Sequence, residues 1–467
     1  MKLLLFISIL LTFQSIGQGN FGYLFEEMPA DSILPPSLSR HSTIKPTIRI
    51  SQQGENELSI KALTDFNYLQ KNSATFKTGV GAEINAQMNN KWHIRLMAVQ
   101  GATKFDSSFI STPYILSPTK TIDWYTDIHA RTSYTPNKFF NFQIGLDNNF
   151  IGEGSRSMLI SDYSSPYPFA MVRTNFWRIE YAVLYQFMRE RKLAGYQAKF
   201  ASSHHLSINA AKWLNFGIFE SVIFQPKDTL LNRGFDAEYL NPFVFYRPQE
   251  YSLGSSDNVL LGVDLTANYK HHTFYSQFIL DEFYLAEIRA KSGWWANKFG
   301  GQIGIKGRFG NSNEFFYRVE YNFARPYTFS HLSEELNYGN QGRSLAHPYG
   351  SSFMEGLAEL KWQKDKLAAK YFINYYLKGG DNNGFNYGAD IYQSYVNRPS
   401  EYGHFTGQGR QQNGLNSAVT FSYRVLKNEA INAFIESHLN YSVQQNSIKH
   451  LLVVGLRSYL WNDYRNY

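Results

Sequence analysis

Cysteine is absent from the 467 residues. That excludes a disulfide framework, a thiolate metal site and a cysteine nucleophile. Charge is also scarce, at 18% of residues, against roughly a quarter in ordinary soluble domains. No dense Lys/Arg run accompanies the net charge of +7, so nucleic acid is not an expected partner. Beyond the N-terminus no apolar run approaches the length of a membrane-spanning helix. Neither linker nor composition break divides the chain. Aromatic residues, by contrast, are abundant at 17%, with 33 Tyr and 37 Phe. Tyrosine suits boundaries where one end of a side chain is apolar and the other is wet.

The chain opens "MKLLLFISILLTFQSIGQGN". Lys2 supplies a positive start, Leu3 to Phe13 a short apolar run, and Ser15 and Gly17 a small-residue cleavage pattern. Residues 1–17 therefore read as a signal peptide, with a mature chain from Gln18. Residues 18–70 read as an irregular periplasmic or plug-like lead, because "MPADSILPPSLSRHSTIKP" carries four prolines and no clear period.

From residue 71 to residue 467 a period of two dominates. "IDWYTDIHARTSY" sorts Ile122, Trp124, Ile128 and Ala130 onto one face and Asp123, Asp127, His129 and Arg131 onto the other. "TFKTGVGAEINAQM", Asn89-Asn90 and "KWHIRLMA" form a hairpin signature. "WRIEYAVLYQF" sets Trp177, Ile179, Tyr181 and Val183 against Arg178 and Glu180. Sixteen to eighteen such segments recur along the chain, separated alternately by short turns and long Gly/Asn-rich loops. A soluble sandwich of this length would need repeated domains and visible linkers. The pattern instead predicts an all-β, antiparallel outer-membrane barrel, expected at eighteen strands. Asp123, Asp127, His129, Arg131, Arg178 and Glu180 are then expected to face the lumen. A lipid-facing charge at the bilayer midplane would cost about 2–4 kcal/mol.

Two stretches carry more than a barrel pattern. "FIGEGSRSMLISDYSSPYPFAMVRTNFWRIEY" (150–181) and "LNPFVFYRPQEYSLGSSDNVLLGVDLTANYKHHTFYSQFILDEF" (240–283) resemble the Wzi family of capsule-assembly outer-membrane barrels. The likeness is nearest to its Bacteroidetes branch, which includes the gliding-motility protein RemB, and is clearest over 140–310. The resemblance implies an eighteen-stranded barrel with a small periplasmic helical part, a helical part that 18–70 does not visibly carry. It also implies a lectin-like role in holding surface polysaccharide or, in the motility branch, adhesion or movement through envelope proteins.

Candidate sites follow from the loops. In "GEGSRS" the spacing fails the G-x-S-x-G elbow, so Ser155 and Ser157 are not expected to be nucleophiles. A tight loop with Arg156 turned inward fits better, and the following "SDYSSPYPFA" with Asp162 reads as an ordered constriction in the lumen. Tyr246, Arg247 and Glu250 in "NPFVFYRPQEY" could stack on a sugar and fork onto its carboxylate or sulfate, or could pack a rim loop. Trp294 and Trp295 could form a sugar platform or part of an interface belt. His204-His205 and His271-His272 cannot chelate one ion from a regular strand, because neighbours point to opposite faces. The carboxylate pairs Asp123/Asp127 and Asp281-Glu282 read as balancing lumen cations, and "GGQIGIKGRFG" lacks the helix that a dinucleotide loop needs. The expectation is a non-catalytic barrel without metal or cofactor. Its partners would be outer-membrane lipid and an acidic surface polysaccharide, with envelope or motility proteins as the alternative. A passive diffusion channel is the third reading.

Overall fold

The computed structural model describes residues 56–70, 75–89, 91–104, 123–192, 195–226, 237–240, 257–310, 314–425 and 431–458. The expected signal peptide and most of the lead lie outside these residues, as do Tyr246, Arg247 and Glu250.

The strands in chain order are β1 (Asn56–Gln70), β2 (Thr75–Met88), β3 (Trp92–Lys104), β4 (Asp123–Tyr134), β5 (Phe140–Asp147), β6 (Tyr167–Phe176) and β7 (Ile179–Lys192). Next come β8 (Gly195–Ala211), β9 (Leu214–Phe224), β10 (Asn258–Tyr269), β11 (His272–Glu282), β12 (Lys298–Phe309) and β13 (Phe315–Ala324). The series ends with β14 (Gly339–Asn340), β15 (Arg343–Ser344), β16 (Phe353–Lys364), β17 (Leu367–Lys378), β18 (Gln412–Arg424), β19 (Ile431–Ser442) and β20 (Ser447–Ser458). Eighteen of them form one antiparallel sheet in which sequence neighbours pair. The sheet closes on itself because β1 also pairs with β20, Asp65 lying opposite Arg457. β14 and β15 form a separate small hairpin between β13 and β16.

The alternation in the sequence is the wall of this barrel. On β4, Trp124 and Ile128 are exposed on the outside, while Tyr125, Asp127 and Arg131 are buried inside. Aromatic groups edge the outer band. Trp92 stacks on Tyr134 at one end (4.3 Å between centroids), and Phe299 neighbours both Phe278 and Phe323 at the other. Every connection longer than six residues lies at the end away from the chain termini of the barrel, which is the extracellular end in barrels of this kind.

Two expectations need correction. The barrel begins at Asn56, not at residue 71. Leu58, Ile60, Phe66 and Tyr68 face outward, and Asp65 and Asn67 inward. The inward Leu63 breaks the alternation, because it packs inside the barrel on Met97, Val99 and Tyr125. Arg178 does not face the lumen. It is exposed in the two-residue turn between β6 and β7, where Trp177 adopts a φ of 55°. The turn was hidden because Trp177 keeps the same parity as Ile179 and so continues the period-two pattern.

Two loops enter the lumen. Loop 148–166 and loop 325–352 fold into it and meet in an apolar cluster that includes Met158, Leu159, Ile160, Phe329, Tyr338 and Leu345. Segment Ala237–Leu240, in contrast, lies on the outside of the wall. Ser202 and Tyr185, both at outward positions, donate hydrogen bonds to the carbonyls of Tyr239 (3.0 Å) and Leu240 (2.8 Å).

Candidate functional site

Inward-facing polar groups on neighbouring strands come close enough to pair, and burial makes an unpaired charge costly. The expected lumen charges behave this way. Arg131 donates to Asp147 (3.0 Å) and Gln143 (2.7 Å), and His129 bridges Asp127 and Asp147. Glu180 accepts from Arg173 at 2.8 Å. Asp123 opens β4, and its side chain lies outside the described residues. His204 and His205 point to opposite sides of the wall: His204 bonds the Tyr181 hydroxyl on the outside and His205 bonds Asp264 on the inside.

Two wall carboxylates hold the lumen loops. Glu320 on β13 accepts the backbone N–H groups of Ser155 (2.8 Å) and Arg156 (3.3 Å) and the hydroxyl of Tyr275 (2.8 Å). Glu355 on β16 is fully buried; it bonds His347 of loop 325–352 at 2.8 Å and faces Arg156 Nε of loop 148–166 at 3.6 Å. Nearer the periplasmic end, Lys306 pairs with Glu153 at 2.7 Å. Arg156 is therefore an internal anchor, buried away from any ligand at the surface. Asp162 is half-buried farther along the same loop.

Above this plug lies a different kind of cluster. The Trp295 ring packs on Tyr395 (4.5 Å between centroids), and the Arg398 guanidinium sits 4.3 Å from its centre. Trp295 Nε1–H donates to Glu401 at 2.9 Å, and Arg398 also pairs with Glu401. Trp294 meets Tyr284 edge-on. Tyr402 and Phe405 of the same long loop stand open, at 54% and 60% exposure. Beneath the cluster Tyr327 and Phe329 adopt φ values of 66° and 73°, a left-handed conformation costly for bulky residues. The surroundings hold them there. Tyr327 N–H donates to Gly388 O and its hydroxyl to Asn386 O, both at 2.9 Å, and Phe329 N–H donates to Asp281 at 2.9 Å. Gly388 itself has a φ of 75°, and a Cβ there would lie 2.5 Å from Tyr327 N.

Burial pushes the His331 imidazole down to about 4 from its ordinary 6.5, and Lys298 beside it pushes the same way. The loop therefore carries a neutral imidazole at neutral pH. Among the described residues, no group of three His, Cys, Asp or Glu side chains is placed to hold a metal ion.

Of the residues singled out in the sequence, the structure brings Trp294 and Trp295 to the mouth and sends Arg156 into the plug. Tyr395, Arg398, Glu401 and Tyr327 were not singled out. For the first three the one sequence signal was the Tyr/Gly/Asn-rich character of the stretch 377–414, which names no residue; Tyr327 lies outside that stretch and carried no such signal.

Comparison with known proteins places the fold. No family model matches the sequence, and no curated protein matches it. The solved structure of Wzi from Escherichia coli, described as an outer-membrane, carbohydrate-binding β-barrel involved in group 1 capsule assembly, is similar. It matches with a TM-score of 0.56 and 11% identity over 85% of this chain and 83% of that one. OprD of Pseudomonas aeruginosa matches with a TM-score of 0.46 and 10% identity over 85% and 94% of the two chains. OccK5 of the same organism matches at 0.44 and 8% over 86% and 98%. The closed eighteen-stranded wall, its apolar outer band and its polar interior are those of a bacterial outer-membrane barrel.

Proposed function

We propose that this barrel binds surface polysaccharide at its extracellular mouth and holds it there without chemical turnover. The observation that carries the reading is the Trp295–Tyr395–Arg398 cluster, set at the mouth beside the open rings of Tyr402 and Phe405. Aromatic faces offer rigid contact area for sugar rings, and guanidinium groups fork onto carboxylates or sulfates. The carbohydrate-binding description of the similar Wzi barrel supports the same direction. The competing reading is a diffusion channel. Two loops anchored across the lumen by Glu320 and Glu355 weigh against it. The finer likeness to the gliding-motility branch rests on the sequence resemblance alone.

The primary test compares cell-bound with shed polysaccharide in a deletion strain and its parent. Shedding should rise while total synthesis holds; an unchanged ratio would remove the retention role. With purified barrel, Trp295→Ala together with Arg398→Ala should lower affinity for an acidic polysaccharide roughly tenfold or more, the scale of a lost aromatic or arginine anchor. Release of reducing ends from the same polysaccharide should be absent.

A further inference from the structure

The segment joining β11 to β12 leaves the barrel where the outer aromatic band ends. Phe278 on β11 and Phe299 on β12 lie 5.8 Å apart on the outward wall. Directly beyond them come Phe283, Tyr284 and a short helix, Leu285–Arg289, that buries none of its residues. Phe283 (48% exposed), Tyr284 (56%), Leu285 (44%) and Ile288 (37%) leave four large apolar groups uncovered within six residues. Leu285 and Ile288 are three apart and share one face of the helix. Arg289 and Lys291, both exposed, end the segment. Its return is fixed rather than loose: Gly403 N–H donates to Ser292 O (2.9 Å), His404 N–H to Gly293 O (2.8 Å) and Trp295 N–H to Glu401 O (3.1 Å).

Apolar groups in a row at such a place are unfavourable in water and favourable in hydrocarbon. The patch is continuous with the outward-facing aromatic band, and two exposed cations, Arg289 and Lys291, follow it. Amphipathic segments that lie in a membrane interface combine these two features.

We infer that Phe283–Lys291 is a membrane foot. Its apolar side chains enter the outer leaflet beside β11 and β12, and Arg289 and Lys291 meet the phosphate groups of that leaflet. The foot holds the neighbouring Trp294–Trp295 pair at a fixed height above the bilayer. The inference does not depend on the polysaccharide reading, and either can fail alone.

The absence of cysteine makes the test direct. Ile288→Cys, Phe278→Cys and Phe405→Cys each offer one spin-label site in the full-length barrel. Reconstitution would use phosphatidylethanolamine–phosphatidylglycerol vesicles. The label at 288 should collide more with oxygen than with a water-soluble nickel chelate, as at 278, whereas the label at 405 should show the reverse. A label at 288 that behaves like the one at 405 overturns the inference. Arg289→Glu with Lys291→Glu should then shift the 288 label several-fold toward nickel, more in anionic vesicles than in zwitterionic ones, where the headgroup ammonium offsets each phosphate. No shift in either would overturn the phosphate contact.

Discussion

Loop 148–166 and loop 379–411 both leave the extracellular end of the barrel, yet they meet opposite surroundings. The first turns into the lumen, where Met158, Leu159 and Ile160 are completely buried and backbone N–H groups end on Glu320. The second stays at the mouth and leaves Phe385, Val396, Tyr402 and Phe405 open. The difference separates two uses of a loop. Charges in the first have partners within the fold, so Arg156 serves structure. Aromatic groups in the second stay exposed, so under the proposed binding role they are the ones that would meet a ligand.

The comparison breaks most visibly at Glu355. Glu355→Ala leaves both Arg156 and His347 without their shared carboxylate in a buried place. The expected loss is about 3–5 kcal/mol, read from the temperature at which the barrel loses its heat-modifiable mobility. Planar-bilayer recordings of the same variant should show conductance above that of the parent, because both lumen loops are released from the β16 wall. Unchanged conductance would mean that the apolar cluster alone holds the plug.

A smaller effect is expected at the mouth. Tyr402→Ala with Phe405→Ala should change stability by no more than about 0.5 kcal/mol each, as for other exposed positions, while polysaccharide affinity falls. If affinity and stability fall together, the two loops are not as different as their surroundings imply. His331 sharpens the comparison through pH. Its folded value of about 4 lies below the ordinary 6.5, so the undocked loop binds more protons between those limits. Docking of loop 325–352 should weaken as pH falls from 6.5 toward 4. His331→Gln should remove that part of the dependence, measured by a label on the loop. The smallest effect belongs to Arg178→Ala. This exposed turn residue donates to Ala210 O at 3.3 Å, and its loss should leave the unfolding temperature nearly unchanged.

The wall was legible because a strand that separates lipid from a polar interior must alternate, and Thr126–Ser133 of β4 and Tyr317–Phe323 of β13 do so. Legibility failed where an inward position is apolar, as at Leu63, or where a turn preserves parity, as at Trp177-Arg178. The plug was half legible. Its glycines, serines and prolines announced an ordered loop, but its anchors on Glu320 and Glu355 join residues far apart in the chain. The mouth was least legible, since Trp295, Tyr327 and Tyr395 come from three separate loops that only the fold brings together.

That remoteness bears on how the molecule is built. Leu159 O receives the Tyr338 hydroxyl and Leu345 O receives Ser161 N–H, so loops from opposite ends of the run β5–β16 are tied together inside the barrel. Bringing residues so far apart in the chain together carries a loop-closure cost that slows folding. Loop 148–166 and loop 325–352 leave the two ends of the run from β5 to β16, so their meeting is expected to follow the pairing of the strands between them. A barrel caught before that meeting would hold a more open lumen than the finished one, and docking of the loops would be the step that narrows it.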